Sequence, residues 1–141
     1  MEKPKHRTVR CIIKRDDCYL LVMHQTRIFS GKKRWGFPGG RIERGEAFLE
    51  TLSRELREEL SFASHEYAEV GDYRYKGYQH KIFATDCGQP IVTFDRSEIH
   101  KIGWHSTDDV RSFLDSGLLH TGFELEAILD FEAQTSGLTL R

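Results

Sequence analysis

Cysteine is scarce in this 141-residue chain: Cys11, Cys18 and Cys87 are an odd number without any Cys-x-x-Cys pairing. That argues against a disulfide-stapled secreted scaffold and fits a reducing cytoplasm. Long apolar runs are also missing. None approaches the ~20 residues that span a bilayer, and the opening Met-Glu-Lys-Pro-Lys-His-Arg has no apolar stretch of the signal-peptide kind. Nor does one sign of charge dominate: 21 Lys and Arg against 22 Asp and Glu leave a net charge of -1. No global field therefore draws the chain to nucleic acid or to a membrane. Seven histidines are scattered without a metal-ligand spacing, which speaks against zinc. No Gly-x-Ser-x-Gly elbow, Walker loop or Gly-x-Gly-x-x-Gly fingerprint occurs, so the usual rivals in acyl and phosphate chemistry drop out. Without internal repeat, low-complexity segment or linker, residues 1–141 are expected to form one domain with an adequate core.

What is present reads as alternating strands and helices. Residues 8–25 hold two β-rich segments joined at Asp16-Asp17, a predicted hairpin. Residues 26–34 are polar and basic, and lead into Trp35-Gly-Phe-Pro-Gly-Gly40, predicted as a loop and then a short strand. Residues 46–60 contain no Gly or Pro, and Leu49, Leu52, Leu56 and Leu60 recur at spacings of three and four, which predicts an amphipathic helix. Residues 66–86 suit strands broken at Gly71 and Gly77, and residues 100–105 a further strand. Ser106 or Thr107 can cap one more helix, and Thr121-Gly-Phe-Glu124 opens the last, with fraying expected from about Thr135.

On the first predicted helix, Glu55, Glu58 and Glu59 stand at positions i, i+3 and i+4, so their carboxylates share a face, read as roughly opposite the leucine stripe. Each like-charged pair destabilises a bare helix by roughly 0.2–0.5 kcal/mol. A solvated acidic face is one reading; a hard cation among the oxygens is the other. The turn Pro38-Gly39-Gly40 just upstream favours the second, because glycine lets the backbone approach a ligand and aim a carbonyl at a metal.

Taken together, Gly40, Glu46 and the run Arg54-Glu55-Leu56-Arg57-Glu58-Glu59-Leu60-Ser61-Phe62 resemble the Nudix hydrolase family, with Ser61 where the family pattern expects Gly. On average residue frequencies such a match arises about once in a hundred million starting points. The resemblance implies an α/β/α sandwich, a mixed sheet flanked by helices, that binds Mg2+, or Mn2+, and a diphosphate. It implies Glu55, Glu58 and Glu59 as metal ligands, with the Gly39 carbonyl a further one, Arg54 orienting a glutamate, and Glu46 holding the loop. The implied chemistry is attack of a metal-activated water on phosphorus of a P-O-P bridge, with a carboxylate taking the proton. Glu55 and Glu98 are the candidates for that base.

Arg27, Lys32, Lys33, Arg34 and Arg41 cluster around the glycine turn, and Arg41 is the preferred contact to substrate phosphates. Tyr73, Tyr75 and Tyr78 could stack a base, although strand tyrosines commonly pack in cores. Tyr78 lies where dinucleoside polyphosphate hydrolases of the family place a tyrosine. The expected substrate is a nucleoside triphosphate or related nucleotide. A dinucleoside polyphosphate, a nucleotide sugar, ADP-ribose and a capped RNA end are alternatives, and a non-catalytic nucleotide sensor is the alternative class. Nucleic acid enters only as that RNA end, no membrane is expected, and a homodimer is left open.

Overall fold

In the computed structural model, residues 5–25 and 33–139 are described. β1 (His6–Arg15) and β2 (Cys18–His24) form the predicted hairpin, with Asp16 in the left-handed conformation at its turn. The glycine turn runs into β3 (Gly39–Arg41), followed by α1 (Phe48–Leu60). β4 (Ala68–Tyr75) and β5 (Tyr78–Asp86) form a second hairpin, turned at Lys76 and Gly77, with an irregularity between Glu69 and Gly71 as the glycine suggested. β6 (Ile99–His105), α2 (Thr107–Asp115) and α3 (Glu124–Thr139) complete the described elements. α3 stays helical through Thr139, past the point where fraying was expected. No helix among the described residues is long and apolar enough to cross a membrane.

Six strands among the described residues form one sheet, five of them in the order β4-β5-β1-β2-β6 and β3 paired with β1 beside that path. β1 pairs parallel with β5 and antiparallel with β2, which makes the sheet mixed. Along its other edge β1 divides its partners: Thr8 to Arg10 face β3, and Lys14 and Arg15 face β2. The glycine turn is thereby stitched to the start of the central strand.

Alternation along β1 supplies both cores. Val9, Cys11 and Ile13 pack beneath α1 with Leu20, Val22, Leu52, Leu56 and Leu60. Ile12 packs on the opposite face with Tyr19, Leu21, Ile82, Phe123 and Ile128. Leu52, Leu56 and Leu60 are buried, and burial of each is worth about 1.5–3 kcal/mol. That outweighs the few tenths per carboxylate pair, so the leucines can hold crowded glutamates on the same helix.

Three expectations need correction. α1 begins at Phe48, because Glu46 lies in the preceding loop, where its N–H bonds the Glu43 carbonyl. Leu49 is exposed at 42%: it stands in the first turn beside exposed Ala47 and Glu50, and Phe48 packs on the core there instead. Glu59 does not lie opposite the leucine stripe. It is buried at 5%, since it follows Leu52 by two turns and so shares its face.

Candidate functional site

The loop into α1 is fixed by a fork. Arg54 donates from Nε to Glu46 Oε2 at 3.1 Å and from Nη2 to Oε1 at 3.0 Å, while the Thr51 hydroxyl donates to the same Oε1 at 2.8 Å. These contacts hold the Glu46 carboxyl down to about 2, with the Arg54 hydrogen bonds the largest cause. The other side of the guanidinium reaches Glu55 at 3.2 Å and Glu58 at 3.6 Å. Arg54 therefore ties the loop to the helix face that bears the carboxylates.

The glycine turn accommodates this face. A Cβ on Gly40 would stand 2.5 Å from the Glu55 carboxyl carbon, so the absent side chain is the space the carboxyl uses. Gly39 is more constrained: its φ is +140°, and a Cβ would meet the Val9 carbonyl oxygen at 2.3 Å. Ser61 ends α1 in the left-handed conformation at φ 52°, ψ 36°, and its N–H bonds the Arg57 carbonyl.

Glu55, Glu58, Glu59 and Glu98 line one pocket of about 420 Å³, together with Asp95. The loop carrying Asp95 and Glu98 is pinned to the helix end, because the Asp95 N–H donates to the Glu59 carbonyl at 2.8 Å. Burial, then the Glu59 charge, raises the proton affinity of Glu55 against the pull of Arg54. Glu59 itself has His24 Nε2 at 3.3 Å from one oxygen, while Oε1 is buried without a hydrogen-bond partner. Among the described residues no three His, Cys, Asp or Glu side chains are drawn tightly enough together to enclose an ion.

Beyond Gly40 the character changes. Arg41 and Tyr78 line a second cavity, of about 560 Å³, with Arg7, Arg10, Lys76, His80 and His120 among its walls. The Arg7 guanidinium lies 4.2 Å above the Tyr78 ring. Tyr75 reaches this cavity, but Tyr73 does not serve as a stacking platform: it is buried against Phe123, and its hydroxyl donates to Asp130 at 2.6 Å. Arg27 and Lys32 lie outside the described residues, and Lys33 and Arg34 are not among the residues lining the cavity.

Sequence reasoning missed His24, Asp95 and Arg10. His24 and Asp95 meet Glu59 only through the fold, so no local spacing signals them. Arg10 did carry a signal, a cation set between buried Val9 and Cys11 in a strand of apolar residues.

A mixed sheet between helices, with a carboxylate pocket lined from one helix and the loop of Asp95 and Glu98, is the arrangement of an α/β/α sandwich domain. The chain belongs to the family described as NUDIX domain, whose model matches residues 4–121. It is similar over 59 residues, at 42% identity, to the nucleoside triphosphatase NudI of Salmonella heidelberg (strain SL476), 40% of each chain being covered. The chain thus matches about two fifths of the length of such curated relatives. A NUDIX hydrolase from Nitrosomonas europaea superimposes with a TM-score of 0.71 at 28% identity, over 94% of this chain and 90% of that one. The NUDIX domain of Shewanella oneidensis NrtR, complexed with ADP ribose, shares the fold at 18% identity, with a TM-score of 0.72 over 95% and 90% of the two chains.

Proposed function

We propose that this protein is a divalent-metal-dependent pyrophosphohydrolase acting on a nucleoside triphosphate or a related nucleotide. The observation that carries the reading is the buried, unpartnered Oε1 of Glu59 beside the half-buried Glu55. Two carboxylates withdrawn from water repel each other, and Arg54 and His24 meet only some of their oxygens, leaving a cost of about several kcal/mol that a hard cation offsets. The donor set fits Mg2+ or Mn2+: Glu55, Glu58 and Glu59 would hold the ion, with the Gly39 carbonyl as a further oxygen. When bound, such an ion supplies charge neutralisation and alignment for attack at phosphorus.

The chain's own residues do the rest. Arg54 orients Glu55 and braces the Glu46 loop, and Gly40 leaves the Glu55 carboxyl its room. Water adds across the phosphoanhydride: its oxygen bonds phosphorus, the bridging P–O bond breaks, and its proton passes to a carboxylate. Glu55, on the helix, is one acceptor for that proton, and Glu98, which lines the same pocket, is the other. Arg41 and Tyr78 line the adjoining cavity and bind the nucleotide.

Hydrolysis of a panel comprising nucleoside triphosphates, a dinucleoside polyphosphate, a nucleotide sugar, ADP-ribose and a capped RNA, with and without Mg2+, tests the reading. Mg2+-dependent turnover of a triphosphate supports it. Binding without turnover of any of them would make the domain a sensor.

A further inference from the structure

The cavity beside Arg41 is unusual in what surrounds it. Arg7, Arg10, Arg41 and Lys76 line it, and among the described residues no carboxylate does. Its volume of about 560 Å³ is in the range of pockets that enclose a small ligand. Arg10 is half-buried, whereas Arg41 and Lys76 are exposed. It projects from the centre of β1, and its Nη1 donates to the Phe37 carbonyl at 3.0 Å. It feels Glu59, Glu124 and Glu55 only at a distance, with no ion pair to it among the described residues. It therefore stands between the carboxylate pocket and the cationic cavity.

The histidines report the same field. His120 is held down to about 4, first by burial and next by the Arg10 charge, and His80 is lowered by burial and further by Arg10 and Arg7. Both imidazoles are neutral at neutral pH and offer hydrogen bonds, while the cavity repels protons and attracts anions. A neutral nucleobase resting there would leave the Arg10 charge without a counterion, whereas a phosphoryl oxygen accepts from guanidinium in paired, charge-assisted bonds.

On this basis we propose that the cavity binds a phosphoryl group of the substrate that lies outside the diphosphate being cleaved, with Arg10 as the residue that selects for it. The inference rests on the proposed function for the location of the scissile bond. Two substrates present this chemistry: a nucleoside triphosphate, through its additional chain phosphate, and a nucleotide phosphorylated on its sugar. Arg10 would touch that group and would take no part in bond cleavage.

Equilibrium binding by calorimetry to the full chain, without divalent ions, tests this independently of turnover. The probes are adenosine 5′-monophosphate, 5′-diphosphate, 5′-triphosphate and 3′,5′-bisphosphate. Wild type is expected to bind either the triphosphate at least about tenfold more tightly than the diphosphate, or the bisphosphate by the same margin over the monophosphate. The arm that gains identifies the source. Arg10→Gln should erase most of that gain while changing affinity for the weaker partner of the pair less than about threefold, and Arg10→Lys should restore part of it. Equal affinity across both pairs in wild type, or a uniform loss on all ligands in Arg10→Gln, would overturn the proposal. If Arg10→Gln loses its cooperative melt, Lys76→Asn on the turn replaces it: a severalfold smaller gain is expected, and an unchanged one overturns the proposal. Selective binding by a protein that hydrolyses nothing with Mg2+ keeps the phosphoryl site at Arg10 but removes the proposed function and with it the scissile bond that site was placed against, whereas Mg2+-dependent turnover without selective binding removes the site and keeps the function.

Discussion

Arg54 grips Glu46 with two of its nitrogens, at 3.1 and 3.0 Å, and so fastens the loop after the glycine turn to the helix that carries Glu55, Glu58 and Glu59. The fork is planar and two-pronged, a geometry that the single ammonium of lysine cannot copy. Arg54→Lys is therefore expected to lower kcat at least tenfold while retaining the charge, and Glu46→Gln to act in the same direction. Steady-state kinetics on both variants check this. Activity equal to wild type in Arg54→Lys would mean that charge alone matters there.

Gly39 and Gly40 should respond differently to alanine. At Gly40 the new Cβ meets the end of the flexible Glu55 side chain, which can swing aside, so stability should change little and activity should drop by at least an order of magnitude. At Gly39 the Cβ meets backbone at 2.3 Å, with φ in a region that only glycine adopts easily, so Gly39→Ala should be destabilised by about 3 kcal/mol or more. Chemical denaturation of both variants, with activity measured for Gly40→Ala, separates the two effects.

Ser61 occupies the left-handed position that ends α1, where a side chain costs roughly 1–2 kcal/mol and glycine costs none. Glycine gives back part of that advantage through the entropy of the unfolded chain. The expected outcome for Ser61→Gly is a gain between zero and about 1 kcal/mol. A loss of a few kcal/mol in a urea melt would assign the serine side chain a bonding role of its own.

His80 sets a pH dependence of known sign. Its imidazole is buried, with Nδ1 2.7 Å from the Thr8 hydroxyl, and burial holds its proton affinity below that of a free histidine, about 6.5. Below that pH the unfolded chain takes up a proton that the folded one resists, so stability falls with acidity. The contribution is complete above about 6.5 and is lost as pH drops beneath it. His105 and His120 are shifted in the same direction, so His80→Gln should flatten the slope of Tm against pH between about 5 and 7 without abolishing it. An unchanged slope would contradict the account.

The helix bearing the carboxylates was legible because three buried leucines and the absence of breakers repeat at the helical period. Its details were not. Leu49 obeys the same period but lies in the first turn, where Phe48 does the packing. Glu59 looked like one of three surface acids, yet it shares the face of Leu52 and is buried. The glycine turn and the place of Arg54 could be read from the motif, because neighbours in sequence make those contacts. His24 against Glu59, and the return of the Asp95 loop to the helix end, depend on how the sheet brings distant segments together, which no local spacing encodes. Arg10 was visible as a cation among apolar strand residues, but only the cavity beside it gives that cation a purpose.

The central claim is that Glu59 is buried to hold a cation. Glu59→Gln keeps the size of the side chain and deletes its charge, so without divalent ions the Tm should stay level or rise slightly as repulsion from Glu55 is relieved. The stabilisation that Mg2+ gives wild type by binding the folded state should shrink. The most direct measurement is hydrolysis of a nucleoside triphosphate by wild type and Glu59→Gln at saturating Mg2+. The account predicts a loss of about a hundredfold or more in a folded protein, and wild-type turnover by Glu59→Gln would contradict it.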